Sequence, residues 1–207
     1  LVLKNIPTIP ASIKNLESLT FLIINNYKSR IFNDIHQLKI HSNIQFLGKL
    51  EYLVIEKYNI DTLPDEIGLI PNLKYLHIID NPNLKKLPDS ICNLQHLEEL
   101  RLENNHLETL PEDIGKLKNL KSLIVFHNFL TELPDSIGEL SELEELSIWQ
   151  NKIEKLPDSI GNLEKLYWLN ATSNNLKTVP SSIGNLKNLG HLLLTDNFLE
   201  SVPQSLE

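Results

Sequence analysis

The sequence predicts an α/β solenoid: a stack of short units, each giving one strand to a shared parallel sheet and one short helical turn behind it. Three observations carry this reading. Of 207 residues, 41 are Leu and 23 are Asn. Eight of the 11 prolines fall in one frame (Pro10, Pro64, Pro88, Pro111, Pro134, Pro157, Pro180, Pro203), and from Pro88 onward each follows the last by 23 residues. With the residue before each Pro as position zero, the copies share the pattern LPxxIGxLxxLxxLxLxxNxLxx. A fixed period of this length marks units that cannot bury their apolar face alone and must stack to make a core.

Each element follows from the pattern. The copy at 110–132 shows it in full: Leu110, Pro111, Ile114, Gly115, Leu117, Leu120, Leu123, Val125, Asn128 and Leu130. Copies at 87–109, 133–155, 156–178 and 179–201 match at nearly every site, and the copy at 63–86 carries one extra residue in Asn81-Pro82-Asn83-Leu84. The run Leu100-Arg101-Leu102 has the two-residue period of a strand with one buried face. One such strand per repeat can pair only with its copies, which makes the sheet parallel. The run Pro134-Asp135-Ser136-Ile137-Gly138 reads as an extended break, a capping Asp or Ser, and a short helical turn. The Ile at position 4 and the Leu at positions 7 and 10 point inward beside the strand.

Two copies are degenerate. Residues 40–62 keep Ile40, Ile44, Leu47, Leu50, Leu53, Ile55 and Ile60 but put His41 in place of Pro and Tyr58 in place of Asn. Residues 9–39 keep Ile9, Pro10, Ile13, Leu16, Leu19, Leu22 and Ile24, put Tyr27 at the Asn position, and run about eight residues long, with the excess in 27–39. The expected organisation is one domain over 1–207: a partial repeat at 1–8, degenerate cap-like repeats at 9–39 and 40–62, six regular repeats over 63–201, and a partial repeat at 202–207.

These residues closely resemble the leucine-rich repeat family, in particular its 23-residue type, over almost the whole chain. The subtype is similar to that of Ras-binding scaffold proteins and of leucine-rich repeat proteins from spirochaetes and other bacterial pathogens. The resemblance implies a right-handed horseshoe with the parallel sheet on its concave side and short 3-10 turns or loops on its convex side. It also implies that Asn81, Asn105, Asn128, Asn151, Asn174 and Asn197, all at position 18, form a ladder. Their amides would satisfy backbone groups where the chain leaves each strand.

Composition excludes several functions. Net charge is −8, from 19 basic and 27 acidic residues with no basic run, so a nucleic-acid footprint is absent. A single Cys allows neither an intramolecular disulfide nor a Cys-based zinc site. No apolar run approaches the ~18 residues of a membrane span. No phosphate-binding Gly loop, nucleophile elbow or HExxH motif occurs. Neither enzyme activity nor a cofactor is expected. His77, His127 and His191 sit two and three repeats apart, roughly 10 and 14 Å by strand spacing, too far to share one zinc ion. The absence of Met and the start at Leu1 suggest a processed or trimmed product.

A residue type that recurs at one position in every copy serves the fold, so Asp89-Ser90, Asp135-Ser136 and Asp158-Ser159 read as caps. Cys92, standing where other copies have Gly, reads as an inert substitution. Function falls where copies differ on the strand face, at positions 12, 14, 16 and 17. Phe126 and Trp149 share position 16 in neighbouring repeats and are expected about 4.8 Å apart. Ile124 flanks them, and Trp168 lies one repeat further on. Asp80, Glu99, Glu103, Glu145 and Asp196 against Arg101 make the face acidic, which suits a protein ligand with a basic rim and an apolar knob. The predicted concave binding residues are Phe126, Trp149, Trp168, Ile124, Arg101, Glu103, Glu145 and His127.

The function expected is a non-catalytic interaction module that binds a protein ligand, of a bacterial host-interaction or virulence kind. The alternative is the substrate-recognition or small-GTPase-binding part of a larger signalling or ligase protein. A secreted or cell-surface bacterial location is favoured over the cytoplasm. The uncapped end at Val202-Pro203-Gln204-Ser205-Leu206 is expected to allow self-association.

Overall fold

The computed structural model of the chain describes residues 1–26 and 37–206. Tyr27, His36 and most of the long stretch expected in 27–39 lie outside them. Among the described residues, nine strands form one parallel sheet: β1 (Val2–Lys4), β3 (Phe21–Asn25), β5 (Tyr52–Glu56), β6 (Tyr75–Ile79), β7 (Glu99–Arg101), β8 (Ser122–Ile124), β9 (Glu145–Ser147), β10 (Trp168–Asn170) and β11 (His191–Leu193), neighbours in that order. A second, two-stranded parallel ladder joins β2 (Thr8–Ile9) to β4 (Lys39–Ile40).

The register is the repeat itself. Leu100 pairs with Leu123, Leu123 with Leu146, Leu146 with Leu169 and Leu169 with Leu192. The first four of these are fully buried. Together with Ile114, Leu117 and Leu120 and their equivalents they form one continuous core along the stack. Burying a Leu side chain contributes about 2 kcal/mol relative to exposure, so the core is a sum of like terms rather than one central cluster.

Behind each strand lies a short 3-10 turn, such as Asp135–Glu139. Pro134 precedes it in extended backbone (φ −65, ψ 147), and its carbonyl accepts the Ile137 N–H at 3.0 Å. The Asp-Ser pair does not cap this turn as the sequence suggested: no side-chain cap bond forms at Pro88, Pro134, Pro157 or Pro180. The reason is register. Pro holds the N-cap position, which puts Asp inside the turn and turns Ser toward the preceding repeat. Ser136 Oγ donates to the Glu112 carbonyl at 2.5 Å, and Ser205 Oγ to the Ser181 carbonyl at 2.9 Å. Where His41 replaces Pro, its Nδ1 accepts the Asn43 N–H at 3.0 Å, a true side-chain cap.

Position 5 is Gly because the next repeat presses on it. A Cβ at Gly138 would lie 2.2 Å from the Ser159 carbonyl oxygen. Cys92 occupies this position in its own repeat, and there the following turn is shortened to Ile114–Lys116. The thiol is buried and pushed up to about 11, by burial first and then by the Asp113 and Asp89 carboxylates. A thiol held protonated is a poor nucleophile, in line with an inert substitution.

The Asn ladder forms. Asn151 Oδ1 accepts the Leu130 N–H at 3.0 Å, and its Nδ2 donates to the Val125 and Ile148 carbonyls at 3.0 Å each. Asn128 and Asn174 repeat the pattern. Tyr58, at the ladder position of its repeat, is fully buried and its hydroxyl accepts the Ile6 N–H at 3.2 Å.

Position 17 carries a duty the sequence did not show. Lys57, Asp80, Asn104, His127, Gln150, Ser173 and Asp196 all adopt positive φ, between 53° and 61°. This left-handed backbone costs roughly 1 kcal/mol for an ordinary side chain. In return the chain leaves the strand while keeping its pairing: the N–H of His127 bonds the Trp149 carbonyl at 3.0 Å, and that of Gln150 the Thr172 carbonyl at 2.9 Å.

Candidate functional site

The face of the sheet opposite the core carries positions 12, 14 and 16, because strand side chains alternate. The structure brings Phe126 and Trp149 together as expected: their rings stack at 4.6 Å with 22° between planes. Each is half-buried rather than exposed, because each covers the other. Ile124 is half-buried on the same face. Trp168, at the other end of its strand, leans on His191 with centroids 4.6 Å apart. Tyr167 beside it is 54% exposed, and its ring meets His191 edge-on at 5.3 Å.

The predicted charged residues already have partners within the chain. Arg101 forms an ion pair with Glu103, which is only 8% exposed. Glu145 accepts the Ser122 hydroxyl at 3.0 Å. His127 lies at the rim, where Nδ1 bonds Asn104 Oδ1 at 2.6 Å, and Asn104 Nδ2 donates to Asp80 at 2.9 Å.

Sequence reasoning missed a second aromatic group. Phe21 and Tyr52 stack at 4.7 Å, and Tyr52 meets Tyr75 at 5.3 Å, three rings in adjacent strands at position 12. The signal was present: the strand frame of the two degenerate repeats places Phe21 and Tyr52 on this face. The eroded pattern of those repeats marks them as a cap and masks it. His77 meets Tyr52 edge-on at 4.9 Å, its Nδ1 lies 3.1 Å from the Tyr52 hydroxyl, and its Nε2 lies 2.7 Å from Glu99. Burial lowers the His77 pKa, and the Glu99 carboxylate opposes that shift. The imidazole is therefore neutral near pH 7, with Nε2–H donating to Glu99 and the tyrosine hydroxyl donating to Nδ1.

Glu56 is held above the usual carboxylate range by burial, opposed by Lys57 and reinforced by Asp80 and Glu103. Its folded pKa exceeds the unfolded one, so its ionised form destabilises the fold once pH rises past that value. Glu56→Gln is therefore expected to raise the melting temperature at pH 7, with the gain vanishing as pH falls to about 4. Thermal melts across this range check it, and a gain that grows on acidification would contradict the assignment.

No group of three or more His, Cys, Asp or Glu that could hold a metal ion occurs among the described residues, and no described helix is long and apolar enough to cross a membrane. A broad parallel sheet face bearing rings and carboxylates, on a rigid repeat stack, defines a solenoid interaction scaffold. Family models agree. Residues 34–128 and 66–152 match the leucine-rich repeat region, and residues 142–163 match the leucine-rich repeat. The chain belongs to the leucine-rich repeat family.

No curated protein is a significant match. Among solved structures, a leucine-rich repeat protein of Leptospira interrogans is 31% identical with a TM-score of 0.80, over 97% of this chain and 55% of its own. This chain thus spans about half the length of that protein. The leucine-rich repeat domain of the type III effector XopL is 26% identical with a TM-score of 0.85, over 100% of this chain and 71% of its own. A plant peptide hormone receptor, RGFR1 in complex with RGF2, is 28% identical with a TM-score of 0.75, over 96% of this chain and 36% of its own.

Proposed function

We propose that the chain is a non-catalytic module that binds a protein ligand on its concave face, with Phe126 and Trp149 as central anchors. Trp168, Ile124, Arg101, Glu103, Glu145 and His127 surround them. The stacked pair at 4.6 Å is the observation that carries this reading. Neither ring serves the repeat pattern, since position 16 varies from copy to copy. Large aromatic side chains on a rigid face supply contact area at low entropic cost, and they are enriched among residues that dominate binding energy. The acidic surround favours a partner with a basic rim. Similarity to a Leptospira protein and to a type III effector domain supports a bacterial host-interaction role, and similarity to a receptor bound to RGF2 supports a protein or peptide ligand.

Immobilised chain and its Phe126→Ala/Trp149→Ala variant, both checked for unchanged melting, test this by pull-down from host extract. The variant is expected to lose the specific partner, since removing two anchors weakens binding by about 100-fold or more. Equal recovery removes the concave aromatic reading.

A further inference from the structure

At position 12 the strands line up Tyr75, Glu99, Ser122, Glu145 and Trp168 in consecutive register. Rings stand at both ends of this row, Tyr75 continuing into Tyr52 and Phe21, and Trp168 continuing into His191. Between them are two carboxylates, each with one oxygen engaged at home: Glu99 Oε1 by His77 and Glu145 Oε2 by Ser122. The basic residue beside them, Arg101, two residues along the strand from Glu99, is already paired with Glu103. The row therefore offers apolar, negative, negative, apolar, with its own cation neutralised.

We infer that this face holds a basic amphipathic α-helix of the partner protein, laid across the strands, with apolar residues on the two aromatic tiers and cations on Glu99 and Glu145. This rests on the concave-binding reading above and specifies the occupant. Three physical points select it. The interior strands already pair their backbones with each other, so the face offers a ligand side chains only. An extended segment lying crosswise would leave its own backbone groups unpaired, whereas a helix satisfies them internally. A helix is about 10–12 Å wide with its side chains, and positions 12 and 16 lie roughly 13 Å apart along a strand.

The spacing fits the same occupant. Four strand steps separate Tyr75 from Trp168, roughly 19 Å, with Glu99 about 5 Å and Glu145 about 14 Å along the row. On one helix face, residues i, i+4, i+11 and i+14 lie at roughly 0, 6, 16 and 21 Å. Long cationic side chains span the remaining ångströms. Charge complementarity is general as well as local, since the chain carries a net charge of −8.

The test uses the intact chain and a fluorescein-labelled, alanine-based helical peptide of 18 residues with Leu at i and i+14 and Arg at i+4 and i+11, followed by fluorescence anisotropy. Saturable binding is expected. It should weaken about tenfold or more when both Arg become Glu, when a central Pro breaks the helix, or when the chain carries Glu99→Gln/Glu145→Gln. Gln can still accept the His77 and Ser122 bonds, so an unchanged melting temperature is expected for that variant. Trp168→Ala should weaken binding similarly. No saturable binding, or equal binding by the Glu-bearing or Pro-broken peptide, overturns the inference. A partner captured through Phe126 and Trp149 that binds the Glu99→Gln/Glu145→Gln chain as tightly as wild type overturns the helix and leaves the concave reading standing. A partner indifferent to Phe126 and Trp149 removes that reading itself.

Discussion

Gly138→Ala is expected to lower stability by about 2–3 kcal/mol, although it adds only one methyl group and installs the best helix-forming residue. That methyl would stand 2.2 Å from the Ser159 carbonyl oxygen and 2.7 Å from the Ser159 Cβ. Neither is the end of a flexible side chain that can swing away. The next repeat must shift as a body, and the Leu and Ile tiers between the two repeats shift with it. For a domain of this size each kcal/mol moves the midpoint by roughly 2–4 °C, so the loss should be plain in a thermal melt. Gly48→Ala is the control. A Cβ there meets nothing within 4 Å, and the same substitution should leave the midpoint unchanged or raise it slightly, because Ala restricts the unfolded chain. Equal midpoints for the two variants would contradict this account of position 5.

Asn151→Ala has the second large expected effect. The side chain is 8% exposed and serves three backbone groups in its own and the preceding repeat: the Leu130 N–H and the Val125 and Ile148 carbonyls. Alanine leaves the Leu130 N–H unpaired, while the Val125 and Ile148 carbonyls lose one donor each and keep the Asn128 and Asn174 amides. An unpaired buried N–H costs about 1–3 kcal/mol, and a carbonyl that keeps a second donor adds less, so the expected total is about 2–3 kcal/mol. Asn188→Ala removes an exposed amide that donates to the Glu164 carbonyl at 2.7 Å, and it should cost less than about 1 kcal/mol. Denaturant melts of the two variants separate them. The break falls in the middle of the stack, and stability in a solenoid passes only between neighbours. Asn151→Ala should therefore also broaden the transition, as the two halves begin to melt independently.

The parallel sheet, the inward Leu tiers and the Asn ladder were legible in the sequence because each is a one-residue rule written many times. Repetition turns a weak preference at Leu100 or Asn128 into a register. What repetition does not encode was lost. The Asp-Ser pair looked like a cap, but Pro134 occupies the cap position, and Ser136 spends its hydroxyl on the Glu112 carbonyl of the preceding repeat instead. That is an inter-repeat distance, invisible within a single copy. The left-handed backbone at His127 and Gln150 was hidden because no residue type recurs there. Position 17 looked free to vary, yet its constraint lies in the main chain.

The candidate site was legible in part. Phe126 and Trp149 follow from register alone, and they stack. Their mutual shielding and the pairing of Arg101 with Glu103 depend on rotamers, which spacing does not fix. Phe21 and Tyr52 belong to repeats whose eroded pattern suggested only a cap, although their strand register, continued by Tyr75 in the first regular repeat, is as strict as any other. Aromatic and acidic residues recur together across this one face, and the structure gives them an order that composition could not.

Ligands are expected to bind on the concave face. The chain has two tryptophans, Trp149 and Trp168, and both lie on that face. Acrylamide quenching of their emission, measured with and without the captured partner, therefore reports the binding face directly. Saturating partner is expected to reduce the quenching constant of both tryptophans at least about twofold, as burial in an interface core requires. Unchanged quenching under saturating partner would place the ligand elsewhere on the solenoid and rule out binding on the concave face.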